Sequence, residues 1–130
     1  NYVLDTTDCD DTRAAVNPDA LEECDGVDND CDNTIDESDA IDAITWYADL
    51  DGDTFGDSAT SQIECYQPAA YVLDDTDCDD SATLVNPDAS EQCDGIDNDC
   101  DVYVDEDDAT DVSTWYADSD SDLYGDPDAD

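Results

Sequence analysis

The carboxylates of this chain are too many to fold unaided and too regularly placed to be a disordered tail. Forty-two Asp and Glu residues face a single basic one, Arg13, for a formal charge of −41 over 130 residues. Self-repulsion at that density opposes any compact state, and charge in such excess is the usual signature of disorder. Yet the chain also holds seven Cys, two Trp, seven Tyr and one Phe. Its acids keep a fixed pattern. The stretch CDGVDNDCDNTIDE, from Cys24 to Glu37, returns as CDGIDNDCDVYVDE from Cys93 to Glu106, 69 residues later, with six acids in each copy. Residues 2–61 aligned on residues 71–130 share 37 identities in 60 pairs, and sixteen of these are Asp. Self-similarity at a fixed period denotes an array. What is shared is acid placement, so the compact state is expected to need cations.

The expected organisation is one acidic metal-binding repeat over 1–70, starting mid-array, and a second over 71–130, truncated relative to the 69-residue period. A full repeat carries four cysteines and this window carries four plus three. The parent chain or assembly is therefore expected to continue beyond the window. The charge excludes nucleic acid as a partner and opposes anionic membranes. No apolar run approaches the ~20 residues of a membrane span, so no membrane insertion is expected. No signal peptide is visible, so any targeting segment is expected upstream. Seven cysteines in so short a chain point to disulfides and an extracellular or cell-surface location.

Three acidic groups recur in each repeat. In the first, Asp28, Asp30, Asp32, Asp36 and Glu37 follow D-x-D-x-D-x-x-x-D-E, and Asp97, Asp99, Asp101, Asp105 and Glu106 repeat it. Carboxylates on alternate residues of a tight turn can converge on one ion, joined by a main-chain carbonyl at the seventh position, here Thr34 or Tyr103. That is the logic of an EF-hand-like loop. This loop lacks the Gly at position six, the acid at position twelve and the flanking helices. In the second group Asp49, Asp51, Asp53 and Asp57 take positions 1, 3, 5 and 9, with Phe55 at the carbonyl position; Asp118, Asp120, Asp122, Tyr124 and Asp126 repeat the set. The third group comprises Asp8, Asp10 and Asp11, with Asp5 before them. Asp77, Asp79 and Asp80 repeat it, with Asp74 before them. The following NPDALEEC and NPDASEQC read as single helical turns capped by Asn17 and Asn86. Glu22 and Glu91 could swing back from them to complete that third site.

The chain has no His and no C-x-x-C, which weakens zinc and iron–sulfur readings. All-oxygen ligands suit Ca²⁺, Mg²⁺ or Mn²⁺. Ca²⁺ tolerates many carboxylates in irregular geometry, so several Ca²⁺ ions per repeat are expected. The competing reading of each loop is a solvated acidic turn, which does not account for spacing kept through both copies. Asp39 and Asp42, which recur as Asp108 and Asp111, read as ordinary surface, and Asp25 and Asp94, before Gly26 and Gly95, stay open between ligands and turn formers. Sequence does not fix disulfide connectivity. The expectation is Cys24–Cys31 and Cys93–Cys100, each stapling one loop, and Cys65–Cys78 between repeats, with Cys9 paired upstream. Val3, Leu4, Ile35, Ile41, Ile44, Trp46, Tyr47, Val72, Leu73, Trp115 and Tyr116 are the candidate small cores. They are too few for a substantial one, so metal and disulfides must supply much of the stability. Without His, Lys or a Gly-rich phosphate loop, no enzyme is expected.

The run of DCDD, NP, CDGxDNDCD and DE, then WYADxDxD and GD, then CYQPAAYV and TDCDD resembles the metal-binding repeats of the MopE type. The second loop is also similar to thrombospondin type 3 calcium repeats. The resemblance implies calcium-dependent, extracellular, disulfide-supported modules. It implies Asp28, Asp30, Asp32, Asp36, Asp49, Asp51, Asp53 and Asp57 as ligands, with their counterparts in the second copy. Copper, which the name-giving protein binds through residues including His, is not implied here. The expected fold is mostly irregular with small β content: tandem calcium-binding loop repeats, short strands around Trp46 and Tyr71, and single helical turns. It is disulfide-supported and elongated. The expected role is a structural segment of a fibre, stalk or surface layer that self-associates into a filament or a longer array. The alternative is a calcium-dependent spacer or adhesion module in a long monomeric surface protein.

Overall fold

A computed structural model of the chain describes residues 4–125. Its regular structure begins where β-branched and aromatic residues gather. Strand β1 is Ile44–Ala48, β2 is Asp57–Glu64 and β3 is Tyr71–Val72. They form one antiparallel sheet in the order β2-β1-β3. The hairpin between β1 and β2 is the second acidic loop itself, so the sheet holds Asp49–Asp53 at its end. Ile44 pairs with Glu64 and Ala48 with Asp57, with an irregularity between Tyr47 and Ala48 that admits the loop. The expected strands around Trp46 and Tyr71 are therefore present.

No helix occurs among the described residues. The NPDA segments are single hydrogen-bonded turns: Ala20 N–H donates to the Asn17 carbonyl, and Ala89 N–H to that of Asn86. Asn17 and Asn86 do act as caps, since their side-chain oxygens accept from the N–H of Asp19 and Asp88. The next residues do not continue the helix. Glu22 and Glu91 are drawn inward instead, at 5% and 4% exposure.

The apolar core differs from expectation. Trp46 is buried, and its indole N–H donates to the Glu64 carbonyl at 3.1 Å. Tyr47 and Val72 are half-buried. Leu4, Ile35, Ile41, Ile44, Leu73, Trp115 and Tyr116 are exposed, and Val3 lies outside the described residues. The rest of the buried set mixes small apolar residues (Val16, Ala40, Ala48, Cys65, Val85 and Ala109) with Glu22, Asn29, Asp77, Asn86, Glu91 and Asn98. Side chains that accept main-chain hydrogen bonds occupy the places where a larger domain would put Leu and Phe.

The disulfides also correct the expectation. They join Cys9–Cys31, Cys24–Cys65 and Cys78–Cys100, with Cα separations of 5.6, 5.3 and 5.7 Å. Cys24–Cys31, Cys93–Cys100 and Cys65–Cys78 are not formed. The arc from Cys24 to Cys31 is closed by hydrogen bonds instead: Asn29 N–H donates to Glu22, and Glu23 N–H to the Asn29 side chain. Cys31 is thereby left facing Cys9, which precedes the loop, and Cys65 at the end of β2 meets Cys24. Cys93, expected to bond Cys100, has no disulfide partner among the described residues.

Candidate metal centres

Four loops share one internal wiring. In the loop starting at Asp28, Asp28 Oδ1 accepts from Asp32 N–H at 3.0 Å and Oδ2 from Asn33 N–H at 3.1 Å, while Asp32 Oδ1 accepts from Thr34 N–H at 2.7 Å. The Asp97 loop repeats this through Asp101, Val102 and Tyr103. In the Asp49 loop, Asp49 accepts from Gly52 and Thr54, Asp51 from Asp53, and Asp53 from Phe55. The Asp118 loop does the same through Ser121, Asp122, Leu123 and Tyr124, with Asp120 accepting from Asp122. The first acid of each loop accepts main-chain N–H groups through both of its oxygens, and the chain curls around the acids. The sixth residue is left-handed in all four loops: Asn33 at φ 78°, Thr54 at 84°, Val102 at 77° and Leu123 at 76°. The Gly that an EF-hand places there is missing from the sequence, but the backbone conformation is kept.

The curl brings carboxylates together. One oxygen each from Asp30, Asp32 and Glu37 lie within 4.8 Å of one another. The same holds for Glu22, Asp28 and Asp30, and for Asp49, Asp51 and Asp53. A further group joins Asp51 to Asp77 and Asp80. Glu22 thus belongs to the first loop rather than to the third group. Its Oε2 accepts from Asn29 N–H at 2.8 Å and its Oε1 from Asp36 N–H at 3.0 Å. Glu91 does the same with Asn98 and Asp105 at 2.8 and 2.9 Å.

Other predicted residues serve the backbone. Asp36 accepts from Gly26 N–H at 2.9 Å and from the Tyr66 hydroxyl at 2.7 Å, and Asp105 accepts from Gly95 N–H. Asp57 accepts from Ala59 and Thr60 as β2 begins. Asp8 accepts from Asp10 N–H, Asp10 binds Thr12 and Arg13, and Asp79 binds Ser81; Asp11 is exposed. Asp80 accepts from Leu50 N–H at 2.6 Å. Asp126 lies outside the described residues. Asp42 and Asp111, read as plain surface, accept from Cys24 and Cys93 N–H at 2.8 Å each. Asn29 and Asn98, buried and bonded to the residue after Glu22 or Glu91, were not singled out. Recurrence at the 69-residue offset was the signal for all four.

Six carboxylate oxygens are buried with no hydrogen-bond partner: Glu37 Oε2, Asp51 Oδ2, Asp77 Oδ2, Asp99 Oδ1 and both oxygens of Glu106. Buried polar atoms are rarely left so. Desolvation, and then the neighbouring Asp32 or Asp101, pushes Glu37 and Glu106 above the ordinary Glu range. Desolvation and like-charged neighbours also raise Asp51, Asp77 and Asp99. Asp32 and Asp36 are lowered instead, chiefly by hydrogen bonds from Thr34 and Tyr66. The Thr12 hydroxyl, then Arg13, holds Asp10 at about 2. The raised groups are the convergent, unpartnered ones.

A family model described as "Putative metal-binding motif", of the Cu-binding MopE family, matches residues 8–37 and again residues 77–106. The chain carries this motif twice. Neither curated proteins nor solved structures gave a match. Each matched stretch runs from the third acidic group through the first loop, and in the first of them Glu22, Asp28, Asp30, Asp32 and Glu37 fall into the convergent carboxylate groups. Copper fits these donors poorly. The chain has no His and no Met, and six cysteines are in disulfides. Carboxylate oxygens suit hard divalent cations.

Proposed function

We propose that the chain is a calcium-binding structural segment of an extracellular fibre, stalk or surface layer, without catalytic activity. The observation that carries this reading is Glu106, whose two oxygens are both buried and unpartnered beside Asp101. A cation at that point satisfies both oxygens and removes the repulsion between the two acids. Ca²⁺ accepts six to eight oxygens in irregular arrangements, which suits loops that mix side-chain and main-chain donors. Three disulfides support an oxidising location. Among the described residues no helix is long and apolar enough to cross a membrane. The recurrence of whole loops supports a repeating object over a single binding site.

The test is negative-stain electron microscopy of native material, with calcium and after a chelator, beside calorimetric titration of the stripped chain with Ca²⁺. Regular filaments that come apart on chelation are expected. Dispersed single strands that collapse on chelation favour the spacer or adhesion module instead. Particles indifferent to chelation, with no calorimetric uptake, refute the calcium reading.

A further inference from the structure

The first loop and the third group lie inside the matched motifs, whereas residues 49–57 lie outside both of them. These outlying acids meet the second repeat. Asp51 is shared between two convergent sets, one with Asp49 and Asp53 and the other with Asp77 and Asp80. Asp77 is only 8% exposed, and its Oδ2 is buried without a partner, as is that of Asp51.

The surrounding contacts hold the two halves in register. Asp77 N–H donates to the Gly56 carbonyl at 3.2 Å, Leu50 N–H to Asp80 Oδ1 at 2.6 Å, and the Asn86 side-chain amide to Asp53 Oδ2 at 2.9 Å. A Cβ at Gly56 would lie 2.6 Å from the Asp74 carbonyl oxygen, so the chain entering repeat two passes directly over the loop. A cleft of about 350 Å³, lined by Leu50, Asp57, Asp77, Asp79 and Asp80 among others, opens onto the group.

We propose that Asp49, Asp51 and Asp53 of repeat one, with Asp77 and Asp80 of repeat two, hold one hard divalent cation between the repeats. The ion joins the hairpin loop to the start of the next motif and fixes their relative placement. The two carboxylate sets, joined through Asp51, bring oxygens from both repeats to the junction, which suits the oxygen-rich coordination of Ca²⁺. Without a cation these acids push the junction apart. This site rests on the cation-binding reading above, but it can fail separately.

The test compares the full chain with its Asp51→Asn/Asp80→Asn double variant. Native mass spectrometry counts bound Ca²⁺, and amide hydrogen exchange follows the junction. The expected result is that the variant binds one ion fewer. It also loses the calcium-induced protection at Leu50 and Asp77, while Asn29 and Asn98 keep theirs. An unchanged ion count with junction protection retained overturns the shared site. One ion fewer with junction protection retained assigns the ion to the hairpin loop alone, which also overturns it. No calcium on either protein refutes the cation-binding reading as a whole. An Asp77→Asn variant must reproduce the lost ion if Asp77 is a ligand.

Discussion

The left-handed sixth position of each loop gives a test that depends on backbone geometry alone. Val102 holds φ 77° and is 83% exposed, so its side chain is strained without much packing in return. A left-handed conformation costs an L-residue roughly 1–2 kcal/mol. Glycine removes that cost but adds about 0.4–1 kcal/mol of freedom to the unfolded chain. Val102→Gly should therefore stabilise the protein by about 0.5–1 kcal/mol. The control is Val104→Gly, at an exposed position two residues on with no positive φ, where glycine brings only its entropic penalty. Near-UV circular dichroism during thermal unfolding in saturating Ca²⁺ reads both. A raised midpoint for Val102→Gly and a lowered one for Val104→Gly are expected. Equal losses would falsify the strain assignment. Thr54→Gly should resemble Val102→Gly, because Thr is also β-branched, at φ 84°. Asn33→Gly should gain least, because Asn tolerates this region.

Three other outcomes follow from particular groups. Glu37, Glu106, Asp51, Asp77 and Asp99 sit above their ordinary values of 4.5 for Glu and 3.8 for Asp, so the metal-free fold binds protons there more tightly than the unfolded chain. In chelator, the thermal midpoint should rise as pH falls from 7 towards those ordinary values. It should fall again below about 3.8, as Asp10, Asp32 and Asp36, which sit below theirs, become protonated. With Ca²⁺ bound, protons compete with the ion and acidification should lower the midpoint throughout; parallel profiles in the two conditions contradict this. Glu91→Gln removes a charged acceptor from the N–H of Asn98 and Asp105 and turns an amide N–H₂ towards one of them. Denaturant titration should show a loss of about 1.5–3 kcal/mol, and a loss below 0.5 kcal/mol contradicts Glu91 as the organiser of its loop. Gly56→Ala puts a methyl group 2.6 Å from the Asp74 carbonyl oxygen and 2.8 Å from Tyr47 Cβ. It should cost about 1–3 kcal/mol and lower junction protection in hydrogen exchange; an unchanged exchange pattern argues against the close passage.

The acidic loops were legible because their ligand spacing is local. A carboxylate at every second residue imposes its own curl, and Asp28, Asp30 and Asp32 accept the hydrogen bonds expected of such a turn. Trp46 and Tyr71 marked strands for a similar local reason. The disulfides were not legible, because Cys9 reaches Cys31 only after Glu22 and Asn29 have closed the intervening arc. Nearness in sequence favoured Cys24–Cys31, and tertiary packing decided otherwise. Glu22 and Glu91 were expected beside the third group but lie against the first loop, since the NPDA turn ends before a helix could carry them towards Asp10 or Asp79. The apolar core failed most widely. An amphipathic reading assumes that hydrophobic side chains alone define the inside, but here Glu22, Asn29, Glu91 and Asn98 take much of it beside Trp46 and a few small apolar residues.

That inversion bears on how such a repeat could extend. An apolar core closes on itself once its surface is covered, whereas a cation held by a loop of carboxylates would still accept oxygens from a further acid. Asp118, Asp120 and Asp122 repeat the hairpin half of the junction group, and Asp8 and Asp11 repeat the half supplied by Asp77 and Asp80. The two halves are complementary rather than identical, so a contact between them is head-to-tail, and a head-to-tail contact that does not close into a ring produces a filament. On the reading proposed above, a cation would supply the attraction that two acidic surfaces lack. On that calcium-fibre reading, filaments that come apart on chelation distinguish a fibre from a spacer.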